Sequence, residues 1–248
     1  MLYLLRVGVD LTYGGFHSPI FRDLSYLFIP IPDNNVIKER SITYSEYKWN
    51  NKSILPYIPK NLREEFSSNT IHNDPEFITF TYGSPKFHSK GTIEKNYKKL
   101  KNAKTNDLLV FYAGFSDVFG EGNDLISGLY FFAYFVVDQI IKYSTFGSFR
   151  EDLKNLISGN HHYIHEWNNQ VIIVSDRENS RVFEKAVLLS SKKYDRKGSN
   201  YYPCEEIKNI LGGYNRALNR SSLREFNQCS MQEEFKKYLD NKSTKINF

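Results

Sequence analysis

Apolar positions along the chain gather in short runs bounded by glycine, proline and aspartate, the pattern of buried strands. Leu2 to Val9 opens the series with a β-branched run, and Tyr26 to Ile31 reads as a second strand ended by Pro30 and Pro32. Thr79 to Gly83 is a shorter β-prone run. Asp107 to Gly114 is strongly apolar, and its partner, Leu129 to Val137, follows across the Gly- and Asp-rich connection Asp117 to Gly128. Asn168 to Ser175 and Val187 to Ser190 complete the strands. Helical patterns are shorter and scattered: Pro59 to Phe66, Gly91 to Lys101, Phe146 to Leu156 and Ser180 to Ala186. From Pro203 the chain turns helical and polar, through Cys204 to Leu211, a Gly212-Gly213 break, and Ser222 to Leu239. Asp240 to Phe248 is expected to fray.

Helices this short, placed irregularly among strands, exclude the regular alternation of a doubly wound sheet. The fold class read from the pattern is α+β. The pair Asp107 to Tyr112 and Tyr130 to Val137 resembles the central hairpin of PUA-like pseudobarrels, the EVE, ASCH and YTH group, which bind RNA or modified bases. The expected core is therefore a mixed β-sheet or PUA-like pseudobarrel decorated with helices, with a C-terminal helical segment. Residues 1–200 form the expected core domain, with a long polar excursion at 34–68. Residues 201–248 form a helical extension and tail.

Composition narrows the class further. Apolar residues make up 40% of the chain, with 18 tyrosines and 19 phenylalanines, a load that excludes a disordered chain. No run approaches the roughly 18 apolar residues of a membrane-spanning helix. Met1 to Leu5 runs at once into Arg6 and Asp10, unlike a secretion signal. Two cysteines, Cys204 and Cys229, read as reduced thiols, and the expected location is the cytoplasm.

A net charge of +5 permits a polyanion partner, but a chain rich in Lys, Asn and Ile acquires lysines without any such role. Placement says more than the total. Lys86, His88, Lys90, Lys95, Lys98, Lys99, Lys101 and Lys104 lie close together, interleaved with Phe87 and Tyr97. Lys86, Lys90, Lys95 and Lys98 are the candidates for gripping a nucleic-acid backbone. A solvated helix face explains the same residues equally well.

Candidate chemistry starts where the first strand ends. Asp10 is a carboxylate at the end of a core strand, followed by Tyr13-Gly14-Gly15-Phe16-His17. A buried carboxylate is costly unless paired, hydrogen-bonded or working. Asp10 and His17 could form a proton-moving pair, or Asp10 could cap the turn and leave His17 exposed. His72 and Asp74 form a second cluster, which also reads as an Asx-type turn before Pro75. Tyr82-Gly83 and Tyr112 are candidates for holding a base against an aromatic wall. His161 and His165 have the i, i+4 spacing of two ligands on one helix face, but Asn160 to Trp167 does not read as a helix. Glu166 also follows the last histidine, so no metal is expected. No phosphate-cradling glycine motif is present, and no cofactor is named by the sequence.

Several segments together resemble one family: Arg6 to Asp10 with Tyr13 to Phe21, Ile29 to Pro32, His72 to Phe77 with Thr81 to Gly83, Asp107 to Gly114, and Ser180 to Ala186. The family is the nucleotide modification associated domain, type 3. Leu11-Thr12 departs from the smaller residues expected between Asp10 and Tyr13. The resemblance implies nucleic-acid base modification as the field of activity and leaves the reaction unstated.

The expectation is a protein that recognises a nucleobase in DNA or RNA, or a nucleotide. Its pocket would be walled by Tyr13, Gly14, Gly15, Phe16, Tyr82, Gly83 and Tyr112. As an enzyme it would use Asp10 as general base or to hold the base edge, with His17 or His72 as its partner and Asp74 as a further catalytic candidate. The alternatives are a non-catalytic reader of modified bases, or an interaction subunit of a modification or phage-defence operon. In the latter, residues 203–239 would dock a partner enzyme.

Overall fold

The computed structural model describes residues 1–33, 39–87, 91–117, 127–195, 198–218 and 223–246. Lys90, His88 and most of the Asp117 to Gly128 connection lie outside the described residues. The strands in chain order are β1 (Leu2–Arg6), β2 (Ser18–Ile20), β3 (Pro32–Asp33), β4 (Lys48–Trp49), β5 (Lys52–Ser53), β6 (Thr70–Ile71) and β7 (Thr81–Pro85). They continue with β8 (Leu108–Asp117), β9 (Gly128–Tyr143), β10 (Gln170–Asp195), β11 (Gly198–Tyr201) and β12 (Arg224–Phe226). The helices are α1 (Lys60–Ser68), α2 (Lys95–Leu100), α3 (Lys154–Ile157), α4 (His161–Ile164), α5 (Glu205–Ile210) and α6 (Cys229–Lys242).

The fold is α+β, about 23% helix and 37% strand, built on a curled mixed sheet shaped as half a barrel. Its strand order is β11-β10-β9-β8-β1-β12, with β2 added to β8 and β7 to β10. Parallel pairs join β1 and β2 to β8, and every other pairing within this sheet is antiparallel. Register shifts recur along β10 against β9, after Val174, Asp176, Val182 and Leu188. Each shift leaves extra residues on one strand, bending it and deepening the twist, which is how a long ribbon curls.

The central strands are apolar on both faces because each face carries its own core. On one side Leu109, Phe111, Ala113 and Phe115 pack with Phe28, Trp49, Phe77, Phe132 and Phe135. On the other, Leu108, Val110 and Tyr112 pack with Phe131, Phe183, Phe235 and Leu239. A strand buried on both faces reads as a continuous apolar run, so β1, β8 and the first half of β9 are legible. A third, smaller cluster gathers Ile141, Tyr143, Ile157, Ile172 and Val174.

Several readings of local structure change, among them Ser222 to Leu239, where Arg224 to Phe226 form strand β12, and Phe146 to Leu156, which is helical only from Glu151. Ser180 to Ala186 is not a helix but the bulged middle of β10, where Val182 pairs with Ala133. Tyr26 to Ile31 is buried but forms no strand: Tyr26 makes one bridge to Ile20, and the Ile29 N–H donates to the Ser18 hydroxyl at 3.1 Å. Asn160 to Trp167 contains the helical turn α4, capped by the Asn160 carboxamide. The excursion holds the β4–β5 hairpin and α1, and it sends Tyr44, Trp49, Ile54, Ile58 and Phe66 into the core. The C-terminal segment adds β12 to the free edge of β1 and lays Met231, Phe235 and Leu239 of α6 into the second core. Cys204 and Cys229 are free thiols. No helix among the described residues is long and apolar enough to cross a membrane.

Candidate functional site

The turn after β1 is held by its own carboxylate. Asp10, 3% exposed, accepts hydrogen bonds at Oδ1 from the N–H groups of Thr12 (2.8 Å) and Tyr13 (2.9 Å). Its Oδ2 lies 3.5 Å from the Arg6 guanidinium, and both side chains are buried. The backbone then reverses through Gly14 (φ +106°) and Gly15 (φ +80°), conformations that L side chains rarely adopt. Phe16 leaves the turn for the core, edge-on to Phe66 at 5.5 Å. His17 meets the Ser116 hydroxyl at 2.9 Å through Nδ1. Tyr13 stays 49% exposed.

Beside this turn runs a cleft of about 660 Å³. Its wall includes Arg6, Tyr13, His72, Asp74 and Tyr82, and its rim carries Lys95 and Lys98 of α2. Six of the residues selected from sequence therefore converge here: Tyr13, His72, Asp74, Tyr82, Lys95 and Lys98. Gly83 adjoins them, its N–H donating to Asp74 Oδ1 at 2.9 Å. Asp10 reaches the cleft through Arg6. Tyr112 is on the other face of β8, fully buried and accepting a hydrogen bond from Arg224. The Lys86 ammonium lies over the Phe87 ring at 5.0 Å.

Behind the cleft lies a feature that sequence reasoning set aside. Four of the six histidines, His72, His161, His162 and His165, pack into one knot. His72 and His161 have ring centroids 3.8 Å apart, and His161 and His165 4.4 Å. Trp167 closes the knot, 5.1 to 5.3 Å from the rings of His161, His162 and His165. Two carboxylates enter it. Asp33 Oδ2 is 2.8 Å from His165 Nε2 and 3.8 Å from His161 Nε2. Asp74 Oδ2 is 3.4 Å from His162 Nε2.

Local structure fixes this geometry. The i, i+4 spacing puts His161 and His165 on one side of α4, while His162 turns toward β7. Asn160 joins the two halves: its Oδ1 caps the His162 N–H, and its Nδ2 donates to Asp74 Oδ1 and Thr81 Oγ1, both at 3.1 Å. Burial, reinforced by the neighbouring imidazoles, holds His72 and His161 well below the ordinary histidine range. Burial pushes the Asp74 carboxyl up, against hydrogen bonds from His162, Gly83 and Asn160 that favour its charged form. Neutral imidazoles beside carboxylates are able to relay protons or to ligate metal ions. Asp33, His161 and His165 form one group with ligand-type atoms within 4.8 Å of one another, and His72, Asp74 and His162 form a second.

The signal for α4 was the His-His-x-x-His spacing itself; a single turn between two bends offers too few residues for periodicity to register. Asp33 had no local signal, because its role comes from the β3–β6 pairing that carries it to the knot.

No curated protein and no solved structure gives a significant match. The family model of nucleotide modification associated domain 3 matches residues 2–233, nearly the whole chain, and the chain belongs to that family.

Proposed function

We propose that this protein binds a nucleobase of DNA or RNA, or a nucleotide, in the cleft between the Asp10 turn and α2 and acts on it within a modification system. The observation that supports this most is the company kept in that one cleft: an exposed ring, a pair of lysines, an arginine, and a His–Asp cluster in the wall. Tyr13 would stack the base, a contact worth about 1–3 kcal/mol. Lys95 and Lys98 would take the flanking phosphates. His72 and Asp74 would face the base edge and handle its proton, with Asp74 held by Gly83 and Asn160. Arg6 and Asp10 position the wall rather than react.

A reader without turnover is the second reading, favoured by one observation: Asp74, the carboxylate facing the cleft, is already engaged by the Gly83 N–H and the Asn160 carboxamide. The test is nucleoside mass spectrometry of DNA and RNA from host cells with and without the gene. A nucleoside that appears or vanishes with the gene supports the enzyme. An unchanged profile, with nucleic acid retained by the purified protein, supports the reader. An unchanged profile and no nucleic-acid or nucleotide binding rejects both.

A further inference from the structure

We propose that the histidine knot is a two-site metal centre for first-row divalent ions: an enclosed site made by Asp33, His161 and His165, and a cleft-facing site made by His72, Asp74 and His162. The argument rests on four observations that a purely structural knot leaves unexplained.

The first is the donor set. Each group offers two imidazoles and one carboxylate, the combination that suits zinc or iron(II) and leaves positions open for solvent or substrate. The second is spacing. Ligands about 2.0–2.2 Å from a tetrahedral ion stand about 3.4 Å apart. The N···O separations here are 2.8, 3.4 and 3.8 Å, bracketing that edge.

The third is orientation. His161 Nε2 and His165 Nε2 are buried and have no hydrogen-bond partner among the described residues, although Asp33 Oδ2 is 2.8 Å from the latter. A neutral imidazole presents either an N–H or a lone pair at each nitrogen. At 2.8 Å an N–H aimed at a carboxylate would form a strong hydrogen bond, so the nitrogen and the oxygen are directed past each other. Groups that converge on a common point between them have that geometry, and an unsatisfied buried nitrogen is costly unless something occupies that point.

The fourth is the division of access. His161, His165 and Asp33 have side chains no more than 3% exposed, under Trp167. His72 and Asp74 line the cleft. One site is thus closed on all sides and the other opens where a base or phosphate would lie, the contrast between structural and catalytic ions. The ring contact between His72 and His161 makes the sites neighbours. An ion at the open site would polarise an oxygen presented from the cleft or lower the pKa of bound water to about 7. Ion binding itself does not depend on the nucleotide reading; only the role of the open site does.

The experiment is metal analysis of the purified full chain after dialysis against Zn²⁺ alone, and separately against Fe²⁺ alone without oxygen. Two equivalents are expected, with Asp33→Asn and His165→Gln each losing one and Asp74→Asn and His72→Gln each losing the other. Metal retained unchanged in all four variants would overturn the proposal, since the ions would then bind elsewhere. A single equivalent lost alike from both sets would overturn the division into two sites. Should the variants fail to fold, the unaltered chain still decides. A chelator is expected to lower its Tm and Zn²⁺ or Fe²⁺ to restore it, whereas a Tm indifferent to both, with no metal retained, rejects the centre. Because no nucleotide is added, these results stand apart from the success or failure of the cleft as a base-binding site.

Discussion

Gly83 and His162 are in direct apposition: a Cβ placed on Gly83 would lie 2.3 Å from His162 Cδ2 and 3.0 Å from its Nε2. The imidazole therefore rests on bare backbone, and β7 sets its position. Gly83→Ala is expected to displace the ring and cost about 1–3 kcal/mol, the usual penalty for overpacking. Thermal unfolding measures the loss, and an unchanged Tm would show that the ring does not depend on this contact.

Asp10→Asn removes the charge facing Arg6 while keeping a carbonyl oxygen for both turn N–H groups. The expected destabilisation is about 2 kcal/mol, because a buried guanidinium is left short of its partner. Denaturant titration checks this. A midpoint equal to that of the unaltered chain would move Asp10 from a positioning role to a purely chemical one.

Lys95→Ala with Lys98→Ala is expected to weaken oligonucleotide binding, and the slope of log affinity against log salt should shrink by about one for each lysine. Lys86, engaged with the Phe87 ring and outside the cleft wall, is expected to matter less. Equal losses from Lys86→Ala and the α2 pair would place the backbone path elsewhere.

Trp49 is 1% exposed and touches the rings of Tyr26, Phe28, Phe77 and Phe132. Trp49→Ala is expected to cost about 3–5 kcal/mol. A small effect on the denaturation midpoint would mean that the excursion is a cover over the core rather than part of it.

Burial pushes the Tyr130 hydroxyl up to about 12 and raises Tyr26, whose hydroxyl donates to the carbonyls of Phe132 and Phe183. In the unfolded chain both would ionise near pH 10. Above that pH the folded state holds protons that the unfolded state releases, so stability present below pH 10 is lost as pH rises through about 10 to 12. The loss is about 1.4 kcal/mol per pH unit for each such tyrosine. Tyrosinate absorbance should therefore rise together with the loss of far-UV dichroism. Smooth titration near pH 10 with the fold intact would contradict it.

Legibility followed the range of the interactions. β1, β8 and the first half of β9 are local apolar runs and read directly. Both ends of β10 read as strand, at Asn168 to Ser175 and Val187 to Ser190, but its middle did not, because its bulges put Val182, Phe183 and Ala186 at helix-like spacing. The excursion read as polar because its buried residues, Tyr44, Trp49 and Phe66, are single large side chains spread among charged ones. At the site, Tyr82, Gly83, His72 and Asp74 belong to one compact stretch of sequence and were visible together. Asp33 and the histidines of α4 join them only through the fold, and no spacing announces that meeting.

The position of β1 between β8 and the edge strand β12 has a consequence for how the protein comes to exist. Its five residues pair with Leu108 to Tyr112 on one side, and Leu2 to Leu4 pair with Arg224 to Phe226 on the other. β1 is thus completed by residues that lie far along the chain from it. Until they pair, its edge is an open template for any other extended chain, and so distant a partnership slows folding. A nascent chain arrested before Arg224 would carry that exposed edge with it, which makes shielding during synthesis part of what this fold requires.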